Sequence, residues 1–382
     1  MANLKVNTVS GIGTEGTVFD GGLHFRSKNY LTLPKGTTTE RTATSSGIST
    51  ETGSIRYNTD SNKMECYIGD KWMIVSTSSP NLDGGARGVF GMGYGGSPAV
   101  PINTIEFVTI STAGNATDFG DAQEPHYAAN IGTVASKTRG IFFGGPSSGG
   151  FGQRIEFITI SSTGNATSFG DFDTDPSEFP AGASNETRGI QAGGTTTNLI
   201  QFITIASTGA GKEFGDLTRA HRRVAGCASP TRGLFGGGQI PSPSVSRHNT
   251  IDFVTIATTG NAQDFGDLVS ERDTTIPAGN SIIGVWAGGY YSTVGRVNSI
   301  EFVTIATLGN AINFGDLNNT TMAGAGFSNS TRGCFAGGYT PTVINVIDYI
   351  SLSTRGNAVD FGDMGYSTPS GMFGLSNAHG GL

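Results

Sequence analysis

Thr231-Arg232-Gly233-Leu234-Phe235-Gly236-Gly237, followed by Ile251-Asp252-Phe253-Val254-Thr255-Ile256 and then by Phe265-Gly266-Asp267, decides the fold, because the same three phrases recur along most of the chain. The Phe-Gly-Asp triplet has its phenylalanine at Phe119, Phe169, Phe214, Phe265, Phe314 and Phe361, so successive copies lie 50, 45, 51, 49 and 47 residues apart. Six units follow. Before each triplet stands an alternating run beginning at Ile105, Ile155, Ile200, Ile251, Ile300 or Ile347, which reads as a strand of period two. Before that comes an Arg-Gly-x-Phe segment ending in small residues, as in Thr331-Arg332-Gly333-Cys334-Phe335-Ala336-Gly337-Gly338, and before that a small-residue strand such as Val224-Ala225-Gly226-Cys227-Ala228-Ser229. Four strands per unit at this period specify an all-β, six-bladed β-propeller. The first unit begins at its second strand, Arg87-Gly88-Val89-Phe90, and the tail Met372-Phe373-Gly374-Leu375-Ser376-Asn377 reads as the missing inner strand that closes it.

The rest of the composition agrees. Among 382 residues there are 60 glycines and only 14% charged residues, which disfavours helices. The formal charge is −7 and the basic residues are scattered, so no stripe is available to neutralise phosphates and nucleic acid is not an expected partner. No apolar run is long enough to span a bilayer and no apolar h-region follows Met1, so neither membrane insertion nor a secretory leader is expected. Cys66, Cys227 and Cys334 stand far apart, which suggests neither a disulfide framework nor a metal clamp.

With these phrases in view, residues from about 86 onward resemble kelch repeats: a small inner strand, a paired glycine closing the next, an apolar third strand and an aromatic in the fourth. Phe stands where that family usually carries Tyr or Trp. The resemblance implies the propeller fold and no particular partner.

Residues 1–80 lack the repeat and form a separate expected unit, with residues 81–382 as the propeller. Gly53 to Trp72 contains two alternating runs around a polar turn, a β-hairpin. Ile55-Arg56-Tyr57-Asn58-Thr59 followed by Gly69-Asp70-Lys71-Trp72 resembles a module of phage tail fibres. Leu4-Lys5-Val6-Asn7-Thr8, Tyr30-Leu31-Thr32-Leu33-Pro34 and Ser376-Asn377-Ala378-His379-Gly380-Gly381-Leu382 are similar to parts of marine cyanophage fibre proteins. The resemblance implies a virion structural protein, a tail fibre or alternatively a head fibre or capsid or tail decoration protein. So small a unit with few large apolar groups buries a modest core by itself and calls for partner chains; the resemblance to fibre proteins implies that residues 1–80 attach through a homotrimer and to other virion proteins. Thr37 to Thr52 reads as a loop or linker.

Asp-Phe-Gly at 118–120 and 264–266 matches a kinase motif by letters, but recurrence of Phe-Gly-Asp in six equivalent strands argues for a structural triplet, its aspartate a strand-end acceptor. The five histidines show no metal-ligand spacing, no catalytic set assembles and no cofactor is implied. Loop acids Asp173, Asp175, Glu178, Glu271 and Asp273 leave a polysaccharide hydrolase as a third reading, with nothing to select them. Blade turns on one side are nearly uniform: Ser-Thr-x-Gly-Asn and Ser-x-Thr-Arg-Gly. Loops on the other side vary in length and gather Tyr94, His126, Tyr127, Phe179, His221, Arg222, Arg223, Arg272, Tyr290, Tyr291, Tyr339 and Tyr366. Tyrosines there can stack on sugars or anchor a protein contact, so non-catalytic binding to a host-surface glycan or receptor is the expectation. Drift of unconstrained loops would produce the same variation.

Overall fold

The computed structural model describes residues 33–42, 52–75, 86–95, 100–126, 132–143, 146–147, 150–151, 153–172, 179–194, 197–240, 244–365 and 371–378. The chain divides into two compact units, Met1–Pro80 and Asn81–Leu382. Among the described residues there is no α-helix; nearly all regular structure is antiparallel β.

In Asn81–Leu382 the strands pair in chain order into six main sheets. The second sheet is Gly132–Ala135, Arg139–Phe143, Arg154–Thr159 and Thr167–Asp171, and the third is Ala181–Ser184, Arg188–Ala192, Leu199–Thr204 and Lys212–Asp216. The fourth is Ala225–Ala228, Arg232–Gly236, Thr250–Thr255 and Gln263–Asp267; the fifth is Ile276–Gly279, Ile283–Ala287, Ser299–Thr304 and Ile312–Asp316. Ala325–Ser328, Arg332–Ala336, Val346–Ser351 and Val359–Asp363 make the sixth. The first sheet takes its inner strand from the far end of the chain. Phe373–Ser376 pairs with Arg87–Gly95, Phe373 opposite Gly91 and Ser376 opposite Gly88, and Val100–Thr109 and Thr117–His126 follow outward.

The repeated triplet has a geometric cause. Ile155 faces Gly170 but Glu156 faces Ser168, so Phe169 is an extra residue in its strand, and the same shift recurs in the other five sheets. Such a β-bulge redirects a side chain. All six phenylalanines are buried, and each meets the aromatic of the third strand edge-on, as Phe157 meets Phe169 at 6.0 Å and Phe302 meets Phe314 at 5.4 Å. In five sheets the arginine of the second strand stacks on that third-strand ring, from 4.4 Å at Arg188–Phe202 to 5.1 Å at Arg232–Phe253. The fifth sheet has Ile283 in this place, and Arg355 from the sixth sheet's turn lies over Phe302 instead, at 5.4 Å.

Backbone hydrogen bonds join each sheet to the next. Turn glycines donate to the triplet phenylalanine of the preceding sheet: Gly164 to Phe119, Gly209 to Phe169, Gly260 to Phe214, Gly309 to Phe265 and Gly356 to Phe314, at 2.8–3.0 Å. Gly114 donates to Phe361 at 2.8 Å, which returns from the sixth sheet to the first. Five of these turns add an asparagine whose Oδ1 accepts from the triplet aspartate N–H, as Asn165 does from Asp121 at 3.0 Å and Asn115 from Asp363 at 3.0 Å. The aspartate expected to accept through its carboxylate serves these seams through its backbone. Its glycine neighbour is needed for closeness: a Cβ on Gly120 would stand 2.6 Å from the Gly164 carbonyl.

Third-strand acids cross the same seams. Glu156 accepts from the Gln123 N–H, Asp252 from Thr218, Glu301 from Val269, Asp348 from Asn318 and Glu106 from Gly365. A period-two strand with one wet face would expose these acids, but each sheet is covered on both faces and they are buried. Burial pushes the Glu106 carboxyl up to about 7, the Gly365 N–H opposing and Asp118 adding to the rise; burial also raises Asp252 and Asp348. A carboxyl raised in the folded state holds its proton where the unfolded chain has lost it, so its stabilising contribution is full below about 4.5 and is lost as pH rises through about 7. Between pH 5 and pH 8 the melting temperature of Glu106→Gln is therefore expected to rise relative to wild type in the same buffers, since every other titrating group is common to both; a difference that stays flat would refute the assignment.

Inner strands pack side by side. Ser184 Oγ donates to the Ala135 carbonyl, Ser328 to Gly279, Ser376 to Ser328 and Thr133 to Gly374. Thr133, Gly182, Gly226, Pro277, Gly326 and Gly374, one from each sheet, line a shared cavity of about 40 Å³. That volume holds a water or two and no sugar.

In Met1–Pro80 the expected hairpin is present as Ile55–Asn58 with Lys63–Ile68, and Lys71–Ile74 and the parallel Lys35–Gly36 widen it to four strands. Thr37 to Thr52 is not wholly a loop: Thr39–Thr42 forms a 3-10 turn whose Arg41 ion-pairs with Glu65. The Leu4–Thr8 and Tyr30–Thr32 segments, residues 43–51 and residues 379–382 lie outside the described residues.

Candidate functional site

The loops following second and fourth strands carry the residues singled out above, and short hairpins order several of them. Gln239–Ile240 pairs with Ser246–Arg247, and Tyr290–Tyr291 with Gly295–Arg296. Arg247 stacks on Tyr290 at 4.5 Å and Arg296 stacks on Tyr339 at 4.5 Å, so each hairpin's arginine covers the aromatic of the next loop. The same offset marks both arginines in the sequence, four residues before Ile251 and Ile300.

A polar chain runs beneath. Arg222 Nε donates to Gln239 Oε1 at 2.9 Å, Gln239 Nε2 donates to Asp273 Oδ2 at 3.1 Å, and Arg247 Nε meets the same Asp273 oxygen at 2.9 Å. Arg223 lies over Phe179 at 4.8 Å. Phe179, Arg223, Thr274 and Ala323 all have left-handed backbones, φ 67°, 60°, 52° and 58°, and bond one to the next, Ala323 N–H to Thr274 to Arg223 to Phe179. Holding non-glycine residues there costs on the order of 1 kcal/mol each, which the surrounding hydrogen bonds must offset.

Two of the expected residues sit below the surface. His221 is buried and stacks on His248, its Nδ1 2.8 Å from His248 Nε2. Burial, then His248 and Arg219, pull the His221 imidazole down to about 3, and burial and Arg219 pull His248 to about 4, so both are neutral at pH 7. Arg272 is buried, ion-paired with Glu301 and set 5.4 Å from the Tyr291 ring. Tyr290, Tyr291, Tyr339, Arg222 and Arg223 are half-buried and keep an exposed portion. Tyr94 is half-buried in the first sheet opposite Pro101, and His126 ends its strand opposite Ile102 and Ser147. Tyr127, Tyr366 and the acids Asp173, Asp175 and Glu178 lie outside the described residues.

No protein-family model matches the chain, and no curated protein matches it. Chemistry must therefore be read from the side chains. Glu271 is exposed while Asp273 is buried between Arg247 and Gln239, so these two acids do not form a facing pair. Among the described residues no group of three or more His, Cys, Asp or Glu is placed to hold a metal. The arrangement presents flat guanidinium and phenol surfaces held by one another, which suits contact with a sugar ring or a protein surface.

Proposed function

We propose that this chain is a phage virion structural protein, a tail fibre, in which six sheets are the blades of a kelch-like β-propeller closed by the C-terminal strand. Residues 1–80 attach it as a homotrimer, and the propeller binds the host surface without catalysis. The shared inner cavity, the seam from the sixth sheet to the first and the pairing of Phe373–Ser376 with Arg87–Gly95 support the closed propeller. The difference between the two loop sets carries the binding reading. Turns of the Gly-Asn type are consumed in seams and cannot vary, whereas the opposite loops differ in length and expose the Arg247–Tyr290 and Arg296–Tyr339 stacks.

Binding of the full chain to an array of bacterial surface glycans tests this. Tyr290→Ala with Tyr291→Ala is expected to weaken the strongest signal at least tenfold, since stacking and the Arg247 position are lost together. Release of product would instead make it a hydrolase.

One observation favours the alternative, a head fibre or decoration protein making structural contacts. The fifth sheet exposes Ile282, Leu308 and Ile312. Ile282 stands where four of the other units have Thr138, Thr187, Thr231 and Thr331 and the first has Ala86. Array silence together with capture of a virion protein through that patch would select this reading.

A further inference from the structure

The sheet in Met1–Pro80 is built inside out. Ile55 stands opposite Cys66, which stands opposite Met73; Tyr57 faces Met64, and Ile68 faces Lys71. Opposed residues share a face, and so do alternate residues along a strand, so these seven side chains lie on one side of the sheet. The other side holds the Arg41–Glu65 ion pair and Asn58, whose Nδ2 donates to Glu65 at 2.8 Å, together with the Tyr67–Trp72 ring pair and Ile74, 48% exposed at the edge. Burial is inverted accordingly. Among the described residues of this unit only Asn58 and Glu65 are buried, and no apolar side chain is, while Ile55 is 46%, Ile68 57% and Met73 52% exposed.

We propose that the Ile55–Cys66–Met73 face is the surface on which copies of this chain meet; this rests on the reading that residues 1–80 assemble the protein. Covering large apolar side chains stabilises a folded unit, and here that gain is uncollected on a contiguous face. A second copy suits it by charge. Self-association sets a patch against itself, so a patch carrying several like charges repels its copy. This one bears two charges, Lys35 facing Tyr57 and Lys71 facing Ile68, on the two outermost strands; its central Ile55–Cys66–Met73 row carries none, and the face has no carboxylate. The face also runs out to Lys71–Ile74, the outermost strand, which is hydrogen-bonded on one side only.

Cys66 sits in the central row and provides the readout, because Cys227 and Cys334 are buried with their thiols pushed far up by burial. The experiment is sedimentation of the full chain at micromolar concentration, with thiol labelling across a dilution series. The expected result is an oligomer in which Cys66 labels at least tenfold more slowly than after dilution. Ile55→Glu with Met73→Glu should sediment as a monomer with Cys66 labelled fast, and the near-ultraviolet signal of the Tyr67–Trp72 pair, taken as the difference from a Trp72→Phe control, should be unchanged, which separates loss of contact from loss of this sheet's fold. An oligomer that survives the double substitution overturns this face and leaves the fibre reading standing. A wild-type monomer overturns both, and a monomer with Cys66 protected assigns the face to residues 1–32 of the same chain.

Discussion

Removing residues 371–382 is expected to abolish the cooperative unfolding of Asn81–Leu382. The strand Phe373–Ser376 is the inner edge of the first sheet, and its side chains belong to two cores. Met372 packs with Phe90, Phe327 and Ile347, while Phe373 and Leu375 pack with Val89, Phe142 and Ile158, Phe373 lying 5.0 Å from Phe142. Those three buried side chains account for roughly 5–9 kcal/mol by transfer alone. Whole domains are stable by about 5–15 kcal/mol, so the deletion removes most of the margin. It also strips Arg87–Gly91 of its partner and Arg87 N–H of its bond to Asn377 Oδ1 at 2.8 Å. Thermal or urea unfolding of the truncated chain should show a lost or strongly lowered midpoint, restored in part by adding the missing strand as a peptide. A midpoint equal to wild type would mean that the first sheet does not depend on its C-terminal strand.

The strands of Asn81–Leu382 were readable because a blade-sized repeat imposes one pattern six times, and chance does not place Phe-Gly-Asp and an Ile-initiated run at matched offsets. The C-terminal strand was readable by subtraction, since the first unit lacked an inner strand and the tail supplied one. What joins the sheets was less legible. Seam bonds use backbone N–H and C=O groups of Gly114, Gly164 and Asp121, which carry no residue signature beyond the need for glycine. The buried positions of Glu106 and Asp252 ran against period-two reasoning, which assumes one wet face. At the loops, Tyr290, Tyr291 and Tyr339 could be picked out by position. Their partners could not, because Gln239, Arg247 and Asp273 come from loops of different length and meet only after folding. His221 illustrates the opposite error of reading exposure from a loop address: it lies under the surface against His248.

Gly362→Ala is expected to cost about 1–3 kcal/mol more than Gly114→Ala, although both glycines have nearly the same backbone, φ 148° and 156°, and carry a similar conformational penalty. The difference is space. A Cβ on Gly362 would stand 2.5 Å from the Gly114 carbonyl oxygen and 2.6 Å from its carbon, whereas a Cβ on Gly114 meets nothing within 4 Å. Comparing the two removes the conformational preference of glycine and leaves the cost of separating two backbones. The comparison also bears on closure, because Gly362 and Gly114 come from the sixth and the first sheets. Gly120, at the seam between the first and second sheets, would place its Cβ 2.6 Å from Gly164 in the same way. If the six sheets close on themselves, Gly362→Ala and Gly120→Ala should lower the unfolding midpoint by similar amounts. In an open array the sixth and first sheets would not touch, and Gly362→Ala would cost no more than Gly114→Ala while Gly120→Ala kept its full penalty. Unfolding midpoints of the three variants, measured at one pH and one protein concentration, therefore decide between a closed ring of sheets and an open row.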